Sequence, residues 1–409
     1  MSASALQGVR VLDLSRILAG PVAAQLLADC GADVIKVERP EEGDDARRLG
    51  GAPLRNAKGE PLNTAPMFLC ANRNKRSIAL DIARPEGQEL IRRLAAKSDV
   101  LIENYKTGDL ARHGLDYASL SVVNPRLVYC SITGFGQTGP YASRVGFDPV
   151  FQAMSGLMSA TGLPDDVPGG GPMRVGVPIA DYICGVYAYG AILTALYHRD
   201  NGGGAGQHID LALLDTTLAA MSSAGANFLV NGIPETRNGM ESATTVPSRI
   251  FDCADGKLQI SAPNDEMFRR LCAILGCSNL ARDLRFETKS ARLRHRQALT
   301  EALAPNFLRQ PRAALIAALE EAKVPCAPIH TLSDAYADPQ VMHRGGAVTV
   351  THPAIGSFRM AANPIKFSRT PIGAYDAPPL LGEHTEHVLR EILDLSDVEI
   401  ADLKDRHVI

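Results

Sequence analysis

Apolar residues in the first half of the chain fall into short blocks, separated by longer stretches with helical periodicity. The blocks at 9–14, 33–38 and 99–104 are rich in valine, leucine and isoleucine and predict buried strands. Between the first two lies GPVAAQLLADCG (20–31), whose early proline and terminal glycine predict a helix. This alternation predicts an α/β fold around a Rossmann-like, parallel, doubly wound sheet.

The same pattern continues to about residue 213. Further elements are predicted as strands at 76–82 and 126–134, helices at 85–97, 147–160 and 179–199, and a glycine-rich turn leading into a strand at 199–213. Ligands of such sheets bind beyond the carboxyl ends of the strands, so the loops that follow the strands are the candidates for a binding site.

The pattern changes near residue 225. The segment 248–263 predicts a hairpin that turns at Asp255–Gly256, and arginine-rich helices follow it. We therefore expect a large domain over 1–224 and a smaller α+β domain over 225–335. A C-terminal segment over 336–409 is expected to pack back on the large domain.

Composition places the chain among ordinary soluble globular proteins. Of its 409 residues, 45% are hydrophobic and 21% charged, and the net charge of −3 does not favour a nucleic-acid or membrane partner. The first residues lack a basic region followed by an apolar run, so no secretory signal is predicted. No stretch is expected to span a membrane, and the predicted location is the cytoplasm.

Cysteine and histidine spacing does not favour a metal centre. The eight cysteines form no CxxC pair and are expected to be buried thiols in a reducing compartment. His384 and His387 have the i,i+3 spacing of a ligand pair, but no third ligand is nearby in the sequence. No metal is predicted.

One carboxylate stands out in the apolar segment GVPIADYICGVYAYG (176–190). Asp181 lies near the start of this predicted helix, where an acid can cap free N–H groups and oppose the helix dipole. Alternatively, the small side chains around it form a dry pocket in which it acts as a nucleophile or proton-transfer group.

Glycine motifs of nucleotide-binding and hydrolytic enzymes are not matched well. GFGQTG (134–139) follows a predicted strand, but a proline comes next and no helix starts there, which argues against a nicotinamide site. The chain has neither a G-x-x-x-x-G-K-[ST] phosphate loop nor a G-x-S-x-G nucleophile elbow.

Cationic and polar side chains gather where the predicted strands end. They are Arg39 after the second strand, Lys75 and Arg76 at the opening of the third, and Asn104, Tyr105, Lys106 and Arg112 after the fourth. Each alone is most often a solvated surface residue. Together, at the ligand-binding edge of the sheet, they suit a polyphosphate ligand.

Nearly the whole chain resembles the family III CoA-transferases, which include formyl-CoA:oxalate and succinate–hydroxymethylglutarate CoA-transferases. The resemblance runs in order through GVRVLDLSRILAGP, GADVIKVERPEEGDDAR, NRNKRSIALDI, LIENYKTGDLARHGL, CSITGFGQTGP, GFDPVFQAMSGLM, GVPIADYICGVYA and PPLLGEHT. The succinate–hydroxymethylglutarate members are the most similar in appearance. The family fold implies an interlocked homodimer.

The resemblance also implies roles for particular residues. Asp181 matches the family's nucleophilic aspartate. The positions that match the family's contacts to CoA or acyl-CoA, which is a substrate and not a prosthetic group, are Leu18, Ala19, Arg39, Leu80, Asp81, Ile82, Ala83, Asn104, Tyr105, Lys106, Arg112, Arg144 and Val145.

The reaction implied by the resemblance moves CoA from an acyl-CoA to a free carboxylic acid through an aspartyl mixed anhydride and an aspartyl-CoA thioester. Succinyl-CoA is the expected donor, and a C4–C6 dicarboxylate such as itaconate, mesaconate, glutarate or hydroxymethylglutarate the expected acceptor. Such an acceptor needs a cation for its second carboxylate. Arg47 and Arg48 in GDDARR, or Arg249 in the smaller domain, are the candidates.

Two alternatives belong to other functional classes. The α-methylacyl-CoA racemases share the family fold but use a histidine in Gly-His-Asp, where this chain has Gly146-Phe147-Asp148. Phenylalanine cannot exchange a proton, so racemisation is disfavoured. The other alternative is a CoA-binding protein without catalytic activity.

Overall fold

The computed structural model describes residues 4–56 and 58–409. The first three residues of the N-terminal stretch in which no secretory signal is predicted lie outside the described residues. The chain forms two compact units, the first made of Met1–Leu157, Val175–Ala226 and Gln340–Ile409 and the second of Met158–Arg174 and Asn227–Pro339. Whether these units fold independently, as the predicted domains over 1–224, 225–335 and 336–409 imply, stays a prediction.

The elements of the described residues have the following bounds. The strands are β1 (Arg10–Asp13), β2 (Asp33–Glu38), β3 (Lys75–Ala79), β4 (Val100–Glu103), β5 (Val128–Thr133), β6 (Gly162–Leu163), β7 (Gly171–Pro172), β8 (His208–Ala212), β9 (Ser248–Cys253), β10 (Gly256–Ser261), β11 (Cys326–Pro328), β12 (Ala347–His352) and β13 (Gly356–Ala361). The helices are α1 (Ala19–Asp29), α2 (Pro66–Leu69), α3 (Pro85–Ala96), α4 (Tyr117–Val123), α5 (Asp148–Met154), α6 (Leu157–Ala160), α7 (Ile179–His198), α8 (Leu213–Ala219), α9 (Ser222–Asn231), α10 (Asp265–Ile274), α11 (Lys289–Arg294), α12 (Arg296–Leu308), α13 (Arg312–Glu321), α14 (Leu332–Ala337), α15 (Pro339–His343), α16 (Thr385–Leu393) and α17 (Asp397–Asp405).

A parallel sheet forms the centre of the first unit. Its strand order is β3-β2-β1-β4-β5-β8, so the chain moves outward from β1 to β3 and then returns to the other side of β1. The strand order therefore reverses between β1 and β4, and the loops after these two strands diverge to leave a crevice at the carboxyl edge. The predicted doubly wound α/β fold is confirmed.

Both faces of this sheet are buried, because successive side chains of a strand point to opposite faces. On one face, Leu12 and Leu101 pack with α3 and with α16 from the C-terminal segment. On the other face, Val11 and Val100 pack with α1 and α7. Apolar side chains on both sides explain why these strands appear in the sequence as compact apolar blocks.

The second unit is built around a small antiparallel sheet in the order β11-β10-β9. Helices α10, α12 and α13 bury Phe268, Leu303 and Leu315 against this sheet. The hairpin predicted here is present, but β9 and β10 pair Cys253 with Gly256, so the turn consists of the two residues between them. The predicted turn at Asp255–Gly256 is therefore wrong by one residue.

The helix predicted at 147–160 is divided in two. Helix α5 ends at Met154 and α6 begins at Leu157. Gly156 lies between them with φ +85°, a left-handed backbone conformation that terminates a helix.

Helix α7 with the turn that follows it (Ile179–Gly203) is long and apolar enough to cross a membrane by length and composition. Length and composition alone do not show a span, so the expectation that no stretch crosses a membrane is not overturned. One face of the helix, with Ala180, Cys184, Ala188 and Ile192, is fully buried in the core on α1 and the sheet. That packing is typical of a core helix of a globular protein.

Ionised side chains are buried beneath the carboxyl edge of the sheet. Lys36 Nζ lies 2.8 Å from Asp44 Oδ2, and both side chains are inaccessible to solvent. Arg47 likewise donates from Nε and Nη2 to the two oxygens of Glu38, each at 2.7 Å. Burial alone would raise the pKa of Glu38, but the hydrogen bonds and charge of Arg47 outweigh it and lower that pKa.

This network predicts a large loss of stability for Arg47→Met. The substitution leaves Glu38 buried without its partner, which should lower the free energy of unfolding by about 3–5 kcal/mol. Urea denaturation followed by circular dichroism measures the change. Arg48→Met is the matched control, because Arg48 is about half exposed, and its loss should cost about 1 kcal/mol or less. Equal losses in the two variants would contradict a special role for the buried pair.

Candidate active site

A cavity of about 290 Å³ lies at the carboxyl edge of the sheet, where the strand order reverses. Its walls come from the loops after β1, β4 and β5 and from the first turn of α7, all within the first unit. The point at which strand order reverses is where open α/β sheets bind ligands. The cavity therefore occupies the position that the fold itself favours for a site.

Asp181 contributes a carboxylate to the wall of this cavity. It lies in the first turn of α7, next to the fully buried side chains of Ala180 and Cys184. Burial, and after it the negative charge of Asp148, raise the pKa of Asp181 from 3.8 to about 7. A carboxylate with this pKa is more basic than an ordinary aspartate, which increases its nucleophilicity.

Gly185 allows α1 to approach the first turn of α7. A Cβ atom at this position would lie 2.7 Å from the carbonyl oxygen of Ala19 and 2.9 Å from a side-chain atom of Val22. Only a residue without a side chain fits this contact. The close packing brings Leu18 and Ala19 into the same cavity wall as Asp181.

The loop after β1 is fixed by side chains from its neighbours. Asn104 accepts a hydrogen bond from the backbone N–H of Arg16 at 2.8 Å and donates to the carbonyl of Arg16 at 2.7 Å. Asp44 accepts from the N–H of Ile17, whose φ of 67° is unusual for a β-branched residue. The loop is thus held in a strained conformation directly beside the cavity.

Several residues that the sequence marks as CoA contacts come together around Asp181. Those that line the cavity are Leu18, Ala19, Asn104, Tyr105, Lys106, Arg144 and Val145. The guanidinium of Arg144 lies over the ring of Tyr141, 4.4 Å from its centre, which orients the side chain.

The other predicted CoA contacts do not line this cavity. Arg39 is close to its rim, since it pairs at 3.1 Å with Asp45, a lining residue. Arg112 is exposed and pairs with Asp109. The segment Leu80, Asp81, Ile82 and Ala83 follows β3, and Leu80 is buried in the core.

The structure corrects the prediction that Arg47 binds a substrate carboxylate. Its side chain is fully buried, and its donors are used by Glu38, Thr64 and the carbonyl of Pro379. Arg48 is exposed and donates to Asp45 and to the carbonyl of Glu42, and it does not line the cavity. Arg249 pairs with Glu241 in the second unit.

The sequence interpretation missed Arg16, which lines the cavity. Its guanidinium lies over the ring of Tyr105, 5.0 Å from the ring centre, and its Nη1 is 3.3 Å from Asp45 Oδ2. The argument that placed Arg39 at the end of β2 applies equally to Arg16 at the end of β1. The sequence signal that could have identified Arg16 as a site residue is its position just after a predicted strand.

A second buried carboxylate lies close to this site. Glu103 ends β4 and accepts a hydrogen bond from the N–H of Tyr105 at 2.8 Å. Burial raises the pKa of Glu103 to about 7, although the hydrogen bonds from Ser131 and Tyr105 oppose the shift. In the described part of the chain, no group of three or more His, Cys, Asp or Glu side chains is arranged to hold a metal ion.

Known proteins are similar to this chain over nearly its whole length. The model of CoA-transferase family III matches residues 6–385. The chain is 46% identical to the succinate–glutarate CoA-transferase of Agrobacterium fabrum over 388 residues, covering 95% of each chain. It is 40% identical to the succinyl-CoA:glutarate CoA-transferase of Mus musculus, covering 95% of this chain and 86% of the relative.

Solved structures give the same result. A CAIB/BAIF family protein from Brucella suis superposes with a TM-score of 0.85 at 42% identity, covering 96% of this chain and all of that chain. The similarity therefore extends over both compact units and is not limited to the Rossmann-like sheet.

The raised pKa of Asp181 predicts a pH dependence for CoA transfer. A carboxylate nucleophile attacks only when it is ionised. With Asp181 in that role, we expect kcat/KM to fall about tenfold per pH unit as the pH drops below about 7. Initial rates from pH 5 to 9 measure this acid limb. The variant Glu103→Gln is the control, because Glu103 titrates in the same range. Loss of the acid limb in that variant would assign it to Glu103 instead.

Proposed function

The chain belongs to CoA-transferase family III, and from this membership we propose that it moves coenzyme A from succinyl-CoA to a small dicarboxylate, with Asp181 as nucleophile. The observation that carries the proposal is the basic carboxylate of Asp181 on the wall of a cavity that three cationic side chains also line. The names of the two glutarate transferases support succinyl-CoA as donor and a C5 dicarboxylate as acceptor. Itaconate, mesaconate and hydroxymethylglutarate are further candidate acceptors of the same class.

Each step of the proposed cycle exchanges one carboxylate and one thiolate. The Asp181 carboxylate attacks the thioester carbonyl of the donor, which forms a mixed anhydride and releases CoA thiolate. The thiolate attacks the aspartyl carbonyl, which gives an enzyme thioester and frees the donor acid. The acceptor carboxylate then attacks this thioester, and the thiolate released attacks the acceptor's acyl carbonyl, which restores Asp181.

Two features of the site support this chemistry. Small buried side chains beside Asp181 limit access of water, which would hydrolyse an anhydride. Helix α1 starts at Ala19 without a capping side chain, and the first N–H groups of a helix have no partner within it. We therefore assign the N–H groups at this end of α1 as donors to the developing oxyanion.

The CoA molecule is proposed to extend from this cavity toward Arg39 and Arg112. Both guanidinium groups are exposed and belong to loops at the carboxyl edge of the sheet. Lys106 and Arg144, inside the cavity, are assigned to the parts of CoA nearer the thioester. Charge-assisted hydrogen bonds from such groups suit phosphate and carbonyl oxygens.

The second carboxylate of the acceptor is assigned to Arg16. Three cationic side chains line the cavity, and two of them, Lys106 and Arg144, match family positions for CoA. Arg16 is the third, and it has no other assigned role. Its Nε is buried and has no hydrogen-bond partner among residues 4–56 and 58–409, and its one ion pair in this range, with Asp45, is 3.3 Å long. An incoming carboxylate would add partners for this guanidinium.

The alternative functions are less well supported. Phe147 lines the cavity at the position where the racemases carry their histidine, and its ring cannot exchange a proton. A CoA-binding protein without activity would have no need for a carboxylate whose pKa is raised to about 7.

We further propose that the protein is a cytoplasmic homodimer. Helix α7 exposes Tyr182, Val186 and Tyr187 to about half of their surface, opposite its buried face. Contiguous apolar side chains of this size are typical of a surface covered by another subunit. The eight cysteines are free thiols, as is usual in a reducing compartment.

Substitution of the nucleophile should abolish transfer without preventing CoA binding. Asp181→Ala is expected to lower kcat/KM by about 10⁴- to 10⁶-fold. Isothermal titration calorimetry with CoA should give a Kd close to that of the wild type. Wild-type enzyme mixed with succinyl-CoA should become sensitive to hydroxylamine at Asp181. Asp215→Asn is the matched control, since this exposed carboxylate in α8 does not line the cavity. Activity within tenfold of wild type in Asp181→Ala would refute the assignment.

The role of Arg16 can be tested by comparing acceptors. Arg16→Gln should raise the KM for glutarate about 10- to 100-fold, because a charge-assisted hydrogen bond is lost, and should leave kcat/KM for butyrate nearly unchanged. Arg16→Lys should restore part of the preference, and Arg48→Gln should have no effect on it.

Equal losses with both acids would assign Arg16 to CoA. Higher kcat/KM for acetate, butyrate, oxalate or carnitine than for every C4–C6 dicarboxylate would refute the substrate class and leave the family assignment intact.

A further inference from the structure

A buried carboxylate other than Glu103 contacts the start of the helix that carries Asp181. Asp148 is the first residue of α5, and only 6% of its surface is exposed. The N–H of Ala180 donates to its Oδ2 at 2.7 Å, and Gln152 Nε2 donates to its Oδ1 at 2.6 Å. Both oxygens are therefore engaged, and Asp148 is not among the residues that line the cavity.

We infer that Asp148 is a positioning residue for the nucleophile: its carboxylate anchors the first turn of α7 and keeps a negative charge beside Asp181, which makes Asp181 a stronger nucleophile. This inference rests on the proposed role of Asp181. It assigns Asp148 no contact with substrate. It differs from an ordinary helix cap, which would satisfy N–H groups without affecting reactivity.

The anchoring part of the inference rests on a chain of hydrogen bonds. Gln152, one turn along α5 from Asp148, accepts from the N–H of Val175 at 2.8 Å. Together the two side chains hold the segment 175–180, which leads into α7, at both of its ends. A shift of this segment would move the Asp181 carboxylate relative to the loop after β1, and small displacements at a reacting centre are costly.

The electrostatic part depends on which charges surround Asp181. The titratable and charged groups near it are Asp148 on α5, Cys184 on α7, Asp215 on α8, which acts on Cys184, and Arg16, Asp45, Lys106 and Arg144 around the cavity. Burial makes the largest contribution to the raised pKa of Asp181, and the charge of Asp148 adds to it. A negative charge held close to the Asp181 carboxyl group disfavours its ionisation.

The variant Asp148→Asn, compared with Gln152→Ala, separates the charge from the anchoring contact. Its amide oxygen can still accept from the N–H of Ala180, while the negative charge and the hydrogen bond donated by Gln152 are lost. The acid limb of kcat/KM should move down by about one pH unit, within the range expected for loss of one nearby charge. The plateau at high pH should fall about threefold, since nucleophilicity declines with basicity at a Brønsted slope of about 0.5.

Because the acid limb shifts down and the plateau falls, the pH profiles of kcat/KM for wild type and Asp148→Asn should cross. The variant should be about threefold faster than wild type near pH 5 and about threefold slower near pH 9, by the same slope. Gln152→Ala is the matched control, because it breaks the anchoring chain without changing any charge. Its kcat/KM should fall at every pH while the acid limb stays in place.

Other outcomes overturn the inference. A uniform loss in Asp148→Asn, or an unchanged profile, would leave Asp148 as a structural cap alone. Complete loss of activity with CoA binding intact would make Asp148 itself a reacting group. Thermal unfolding is recorded for each variant, and Asp148→Ser, whose hydroxyl also accepts from a backbone N–H, replaces the asparagine variant if that one does not fold.

The result is distinguishable from a failure of the proposed function. Asp181→Ala is measured in parallel. If that variant remains active, the nucleophile assignment fails whatever the Asp148 profile shows. If it is inactive and the acid limb of Asp148→Asn has not moved, only the inference about Asp148 fails.

Discussion

The ion pair between Lys36 and Asp44 is the interaction on which the geometry of the site depends. Both charges are removed from solvent, and each also binds the loop after β1: Lys36 donates to the carbonyl of Ser15, and Asp44 accepts from the N–H of Ile17. A buried ion pair contributes little net stability, because desolvation offsets its attraction. Its effect here is to specify one conformation for a strained loop whose next residues, Leu18 and Ala19, lie beside Asp181.

The sequence predicted the fold, which is confirmed, and a candidate nucleophile, which stays a prediction, for separate reasons. Strands buried on both faces appear as apolar blocks, and only a parallel sheet covered by helices on both sides explains such blocks in alternation with helices. Asp181 is predicted as the nucleophile because a single acid in an apolar helix is conspicuous, and because its neighbours match a family motif. Both signals are local in the sequence.

Arg47 shows why other parts of the site could not be predicted. Four of the six residues in GDDARR are charged, which indicates a solvent-exposed loop. The partners that bury it are Glu38, Thr64 and the carbonyl of Pro379, and the last of these is 332 residues away. Arg16, in contrast, lines the cavity. Which of several arginines at a strand end faces inward depends on such distant contacts, and no local pattern records them.

The contact at Gly185 has a consequence for how the cavity could change in evolution. One methyl group at this position would press on the backbone of α1 and on Val22, so α1 or α7 would have to move. The N-terminal ends of these two helices form part of the cavity wall. The width of the cavity therefore depends on whether residue 185, which lies outside the cavity, has a Cβ atom. A chain with another residue here would present a differently shaped pocket to the acyl group even if every lining residue were identical.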